Sequence, residues 1–146
     1  MVNISILDDY QDVAHQMADW SALPAGMETQ IFLDHVVDGD ALVERLKDSH
    51  IVMGMRERTA LPRSVLERLP ESRLLITTGR RNASFDEDAA TELGIVVCGT
   101  DGEGEGPTEL TWGLIIGMLR RIPQEDQQTR QGSLGTTLGI GLKPRR

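Results

Sequence analysis

Five short strand-like runs, four of them apolar, separated by segments of helical periodicity, set the fold class of this sequence. The runs lie at 2–7, 28–32, 51–55, 74–78 and 95–98; all but 28–32, which is polar up to Ile31 and Phe32, are rich in Val, Ile, Leu or Met. Between them apolar residues recur at helical spacing: Val13, Met17 and Trp20; Leu42, Val43 and Leu46; Val65, Leu66 and Leu69. A fourth helical segment spans 85–93, with Gly94 as the residue that ends it. Strands joined through helices cannot pair as hairpins, so the pattern predicts βαβ units and a parallel, doubly wound α/β sheet of five strands. A flavodoxin-like strand order is the expected one.

The run at 74–78 leads into the most informative turn. It is bounded by Pro70 and broken at Gly79, presents Arg80, Arg81 and Asn82, and re-enters helix at Ser84, with Glu87 at capping-box spacing. A strand, a glycine turn and a capped helix expose backbone N–H groups and positive charge at the carboxyl edge of the sheet. Open α/β sheets bind anions there. Thr78, Gly79, Arg80, Arg81 and Asn82 are therefore the candidate anion site, and Arg56, Arg58 and Thr59, which follow the third strand, line the same edge. The plainer alternative is an ordinary glycine turn with solvated arginines, whose exposed ion pairs contribute about 0–1 kcal/mol.

Composition narrows the function classes. With 23 acidic against 15 basic residues in 146, broad nucleic-acid or anionic-membrane binding is disfavoured. A single cysteine, Cys98, leaves no internal disulfide and suits a cytoplasmic protein; its place in a strand predicts a buried small hydrophobe. The start lacks the basic and apolar regions of a signal peptide, and the apolar run at 112–119 is too short to span a bilayer. His15, His35 and His50 fall on separate elements without ligand spacing, so no metal site is expected.

After residue 100 the character changes. The glycine-rich acidic link at 99–106 precedes Pro107, which suits a first helical turn. Leu110, Leu114, Ile115, Met118 and Leu119 then mark a long apolar helix over 107–122, with Trp112 and Ile116 off its main face. Residues 124–130 are polar, 132–141 are glycine-rich with little to pack, and the last residues read as a frayed tail. The expected organisation is a flavodoxin-like domain at 1–100, an acidic hinge and apolar helix at 101–123, and a polar, glycine-rich tail at 124–146.

Ile6-Leu7-Asp8-Asp9-Tyr10-Gln11-Asp12, Met55-Arg56-Glu57-Arg58-Thr59, Thr77-Thr78-Gly79-Arg80-Arg81-Asn82-Ala83-Ser84 and Pro107-Thr108-Glu109-Leu110-Thr111-Trp112 together resemble the D-isomer-specific 2-hydroxyacid dehydrogenases, in order, over residues 1 to about 142. The resemblance implies a flavodoxin-like substrate-binding domain whose apolar helix is a hinge into an NAD-binding domain. It implies that the backbone amides of the Gly79 loop hold a small 2-hydroxy or 2-keto carboxylate. Thr108 and Glu109 would approach the nicotinamide only with the second domain present. The family's catalytic histidine, its carboxylate partner and the substrate-orienting arginine belong to that second domain, so no catalytic residue is assigned here. NAD or NADP serves the complete family enzyme, and none is expected on this chain alone. The expectation is a truncated dehydrogenase, inactive by itself. The alternatives are a non-catalytic carboxylate-binding module, or a self-associating remnant that forms a homodimer through helix 107–122. The acidic linker departs from the family, and its spacing before the helix is one residue short.

Two further readings are weaker. Asp8-Asp9 at the end of the first strand resembles the acidic pair of a phosphoacceptor receiver domain. Such a domain also needs an Asp ending the third strand and a Lys after the fifth, where this chain has Met55-Arg56 and Gly99-Thr100. Turn and helix-cap roles are the default for the pair. Gly102, Gly104 and Gly106 suggest a nucleotide turn, but the next position is Pro107, and Glu103 and Glu105 would repel phosphate.

Overall fold

Each of the five runs becomes a parallel strand, and the helical segments cross over between them. The computed structural model describes residues 1–102 and 104–143. They fall into two units, residues 1–102 and 104–143. In the first unit β1 (Val2–Ile6), α1 (Ala14–Met17), β2 (Met27–Ile31), α2 (Gly39–Leu46), β3 (Ile51–Gly54), α3 (Arg63–Leu66), β4 (Leu74–Thr77), α4 (Glu87–Glu92) and β5 (Val96–Gly99) follow in order. The strands pair in the order β2-β1-β3-β4-β5, all parallel, which is the flavodoxin-like arrangement.

Alternation along the strands sorts side chains onto two faces. Val52 and Leu75, paired in register, are fully buried with Leu42 and Leu46 of α2, Val65 and Leu66 of α3 and Ala89 and Ala90 of α4. Burying each of the larger of these side chains stabilises the fold by about 1.5–3 kcal/mol relative to leaving it in water. On the other face Ile4 and Ile6 pack with Ala14, Trp20, Leu23 and Met53, and the Trp20 indole N–H donates to the Ala14 carbonyl at 2.7 Å.

Local readings are corrected at four places. The helix expected from Val13 through Trp20 is one turn, α1, followed by a separate 3-10 turn (Trp20–Ala22) whose start is capped by the Asp19 carboxylate on the Ser21 N–H. Ser84 does not cap α4. Asp86 does, accepting from the Ala89 N–H at 2.9 Å, while the Ser84 hydroxyl donates to the Glu57 carbonyl. Cys98 is exposed rather than buried, because β5 is an edge strand and Cys98 shares the sheet face of Ile76, which the buried helical layer does not cover.

The fourth correction is in the second unit. It contains α5 (Glu105–Leu119), a left-handed Arg121 at φ 54°, and α6 (Ile122–Arg130), a helix where only a polar segment was expected. The glycine-rich stretch beyond is tied back. The Glu125 carboxylate accepts from the Thr137 N–H (2.7 Å) and from the Thr136 and Thr137 hydroxyls, and the Ile140 N–H donates to the Leu119 carbonyl at 2.7 Å. These bonds, the Thr137 hydroxyl first, hold the Glu125 carboxyl below its ordinary 4.5 against an opposing desolvation. A carboxyl depressed in the folded state contributes its stability above the unfolded value and loses it as pH falls through the folded one. Acidification below 4.5 is expected to release this docking, seen as a shift of the Thr137 amide resonance. A Thr137 amide indifferent to acid would contradict it.

No residue of α5 is buried: Trp112 keeps 55% and Met118 78% of its surface. Among the described residues no helix is long and apolar enough to cross a membrane.

Candidate functional site

The turn after β4 is built by hydrogen bonds that reach both neighbouring strand ends. The Thr78 N–H donates to the Gly54 carbonyl, and the Thr78 hydroxyl oxygen accepts from the Arg56 N–H at 3.1 Å. Gly79 has φ +131° and donates to the Thr100 hydroxyl at 3.2 Å, while the Thr100 N–H is shared by the Thr77 and Gly79 carbonyls. A side chain at Gly79 would be strained by that φ and would meet the Arg56 guanidinium. Gly99 is required for a different reason. A Cβ there would stand 2.3 Å from the Gly79 carbonyl oxygen, so only glycine lets the loop lie on the end of β5.

Asn82 is buried and serves as a stitch. Its amide donates to the Arg56 carbonyl (2.6 Å) and the Thr77 hydroxyl (3.0 Å), and its oxygen accepts from the Ser84 N–H. With those bonds made, the amide N–H groups of Arg80, Arg81, Asn82 and Ala83 have no acceptor among the described residues. Arg80 pairs with Asp101 at 2.8 Å, both highly exposed, a contact that contributes about 0–1 kcal/mol. Arg81 is exposed and carries no ion pair among the described residues. Thr77, Arg80, Arg81, Asn82, Cys98 and Gly99 line an open cavity of about 620 Å³. Free amides and two guanidinium groups beside such a cavity suit a carboxylate or phosphate.

The residues after β3 divide. Arg56, in the left-handed region at φ 58°, stays with the Gly79 loop. Arg58 and Thr59 turn the other way, to the end of β1. There Asp8, buried and also left-handed (φ 59°), accepts from the Thr59 hydroxyl at 2.6 Å and from His35 Nδ1 at 2.8 Å; its carbonyl accepts from Arg58 Nη1 at 2.6 Å. The Arg58 guanidinium lies 4.5 Å from the Tyr10 ring centre. Desolvation first, then the Asp8 carboxylate, raise the Tyr10 phenol above its ordinary 10.0. The Asp9 carboxylate accepts from the Val13 and Ala14 N–H groups at the start of α1. The Asp8–His35 contact joins residues 27 positions apart, so no spacing in the sequence announces it; the acidic pair ending β1 is its one visible signal.

Thr108 and Glu109 lie in the second unit, exposed near the start of α5, whose N-cap Gly104 offers no side-chain cap. Among the described residues no cluster of three or more His, Cys, Asp or Glu side chains is placed to hold a metal ion.

No family model matches the chain. A curated relative, the D-3-phosphoglycerate dehydrogenase of Methanocaldococcus jannaschii, is 31% identical over 113 residues, which cover 69% of this chain and 21% of that protein. The solved phosphoglycerate oxidoreductase of Vibrio cholerae superposes with a TM-score of 0.81 at 33% identity, over 95% of this chain and 45% of the other. The Escherichia coli D-lactate dehydrogenase matches at 0.70 and 19% identity, over 97% and 44%, a likeness of fold alone. The chain thus spans about a fifth of the curated relative and under half of the solved ones.

Proposed function

Because the chain belongs to the D-isomer-specific 2-hydroxyacid dehydrogenase family, we propose that it supplies the carboxylate-holding part of an NAD- or NADP-dependent enzyme that interconverts a D-2-hydroxy acid and a 2-keto acid. The observation that carries this reading is the Gly79 loop: four amides without acceptors among the described residues, beside Arg80 and Arg81, at the carboxyl edge of a parallel sheet. The carboxylate sits on the amides of Arg80 and Arg81, with the Arg81 guanidinium, clear of any ion pair, as the closing charge. Thr78, Arg56 and Asn82 act from behind, fixing the loop rather than touching the acid, and Arg58 acts elsewhere.

The residues present do not fit a dinucleotide. Glu105 stands in the first turn of α5, where a pyrophosphate would need positive charge, and Pro107 replaces the glycine that a fingerprint requires. On its own the chain is proposed to bind the acid without transferring hydride. Thr108 and Glu109 face a nicotinamide only in company with a dinucleotide-binding domain. A cytoplasmic setting, without nucleic-acid or membrane partners, goes with this reading.

Titration of the purified chain with pyruvate, glyoxylate and 3-phosphoglycerate tests it. Saturable binding is expected, weakened about tenfold in Arg81→Ala, as for loss of one charged hydrogen bond. Equal affinity in Arg80→Ala, Arg81→Ala and the parent would remove the site, and NADH-dependent reduction of pyruvate by the chain alone would overturn the non-catalytic reading.

The exposure of α5, which ends at Leu119 where a helix over 107–122 was expected, favours a second reading, self-association as a homodimer through that helix. Light scattering is then expected to give a mass that climbs to twice that of the chain with concentration; a constant monomer mass rejects it.

A further inference from the structure

A second cavity, of about 250 Å³, opens beside the Asp8 cluster, between the first turn of α2 and α3. We propose that it is a binding site for a small hydroxy carboxylate, distinct from the Gly79 loop, with Arg58 holding the carboxylate and His35 Nε2 bonding the hydroxyl.

The assignment follows from what each group has left to offer. An ionised carboxylate only accepts, so the 2.8 Å contact of His35 Nδ1 with Asp8 places a ring hydrogen on Nδ1 and leaves Nε2 free to bond a ligand hydroxyl. His35 Nε2 has no partner among the described residues, and the His35 side chain, 33% exposed, lines the cavity. The buried Asp8 thus orients an imidazole whose free nitrogen takes a hydroxyl, as a supporting carboxylate does for a ligating histidine. Arg58 lines the same cavity. Its Nη1 is committed to the Asp8 carbonyl and its plane rests on Tyr10, which fixes the guanidinium while its other N–H groups keep no acceptor among the described residues. Val36, Leu42 and Val65 supply apolar wall. A mostly apolar cavity with a few convergent polar groups is the usual form of a small-molecule site.

Position and strain agree with this. The cluster sits where β1 and β3 diverge to opposite sides of the sheet order, the switch point at which parallel sheets take ligands. Asp8 is held in the left-handed region, a conformation that non-glycine residues keep where the surroundings enforce it. At roughly 30 Å³ per water the cavity has room for about eight waters, which suits a ligand of six or seven heavy atoms.

The probe is 2-hydroxybutyrate, with butyrate as the control lacking the hydroxyl, and the readout is the His35 imidazole resonance of the 146-residue chain by NMR. Saturable movement of the His35 signal is expected with 2-hydroxybutyrate, at least tenfold weaker with butyrate. It should be abolished in Arg58→Gln and unchanged in Arg81→Ala, which separates this site from the Gly79 loop. A static His35 signal, or equal affinity for the two acids in the parent chain, overturns the proposal without any variant having to fold. Loss of the response in Arg81→Ala would return the binding to the Gly79 loop.

Discussion

Gly99→Ala should abolish carboxylate binding at the Gly79 loop and cost about 1–3 kcal/mol of stability. The added methyl group has nowhere to go: the Gly79 carbonyl oxygen would be 2.3 Å away and the Arg80 carbonyl 3.0 Å. Both obstacles are main chain, so no rotamer change relieves them, and overpacking of this kind costs about 1–3 kcal/mol. The cheapest relaxation lifts residues 79–80 off the end of β5. That breaks the paired bonds of Gly79 and Thr100 and turns the free amides away from the cavity. Gly102→Ala is the control, since nothing lies within 4 Å of its position. Pyruvate titration and urea melting of the two variants check the expectation. A Gly99→Ala chain that binds as the parent does would mean that the loop is not seated by β5.

Asp8→Ala should lower stability by about 3 kcal/mol. The substitution removes the acceptor of the buried Thr59 hydroxyl, and a stranded buried donor costs about 1–3 kcal/mol; it also removes the partner of the partly exposed His35 Nδ1. It also places alanine at φ 59°, which aspartate tolerates better. His35→Gln, at a side chain one-third exposed, should cost well under half as much. The midpoint of urea unfolding at constant slope measures both. A loss below about 0.5 kcal/mol in Asp8→Ala, the level of an ordinary surface change, would show that the cluster does not hold the end of β1 to the loop after β3.

How much of this was legible in advance depended on the range of the interactions. The strands and their parallel pairing follow from β-branched runs and helical spacing, which are local signals; the order of the strands does not. So is the Gly79 turn, where glycine, arginines and asparagine stand in one short stretch. Local signals misled where a neighbour decided the outcome. Cys98 lies in a strand, but its exposure depends on β5 being the edge. Ser84 and Asp86 both precede α4, and the bond from Ser84 to Glu57 leaves Asp86 as the cap. The helix α6 carries no apolar stripe, so periodicity missed it; Pro123 in its first turn and Arg130 in its last were the available cues. The side-chain bonds of Asn82 were not legible, because its partners, residues 56, 77 and 84, converge only in the fold. The cluster of Asp8, His35, Arg58 and Thr59 gathers three separate loops, and nothing in linear order connects them.

The two tryptophans divide between the two units, Trp20 half-buried and hydrogen-bonded in the first, Trp112 largely in water in the second. The chain is thus labelled by nature for optical work. The blue side of its emission belongs to the sheet-bearing unit and the red side to the helical one. A quencher such as iodide reaches Trp112 first, so melting of each unit can be followed separately without attaching a dye.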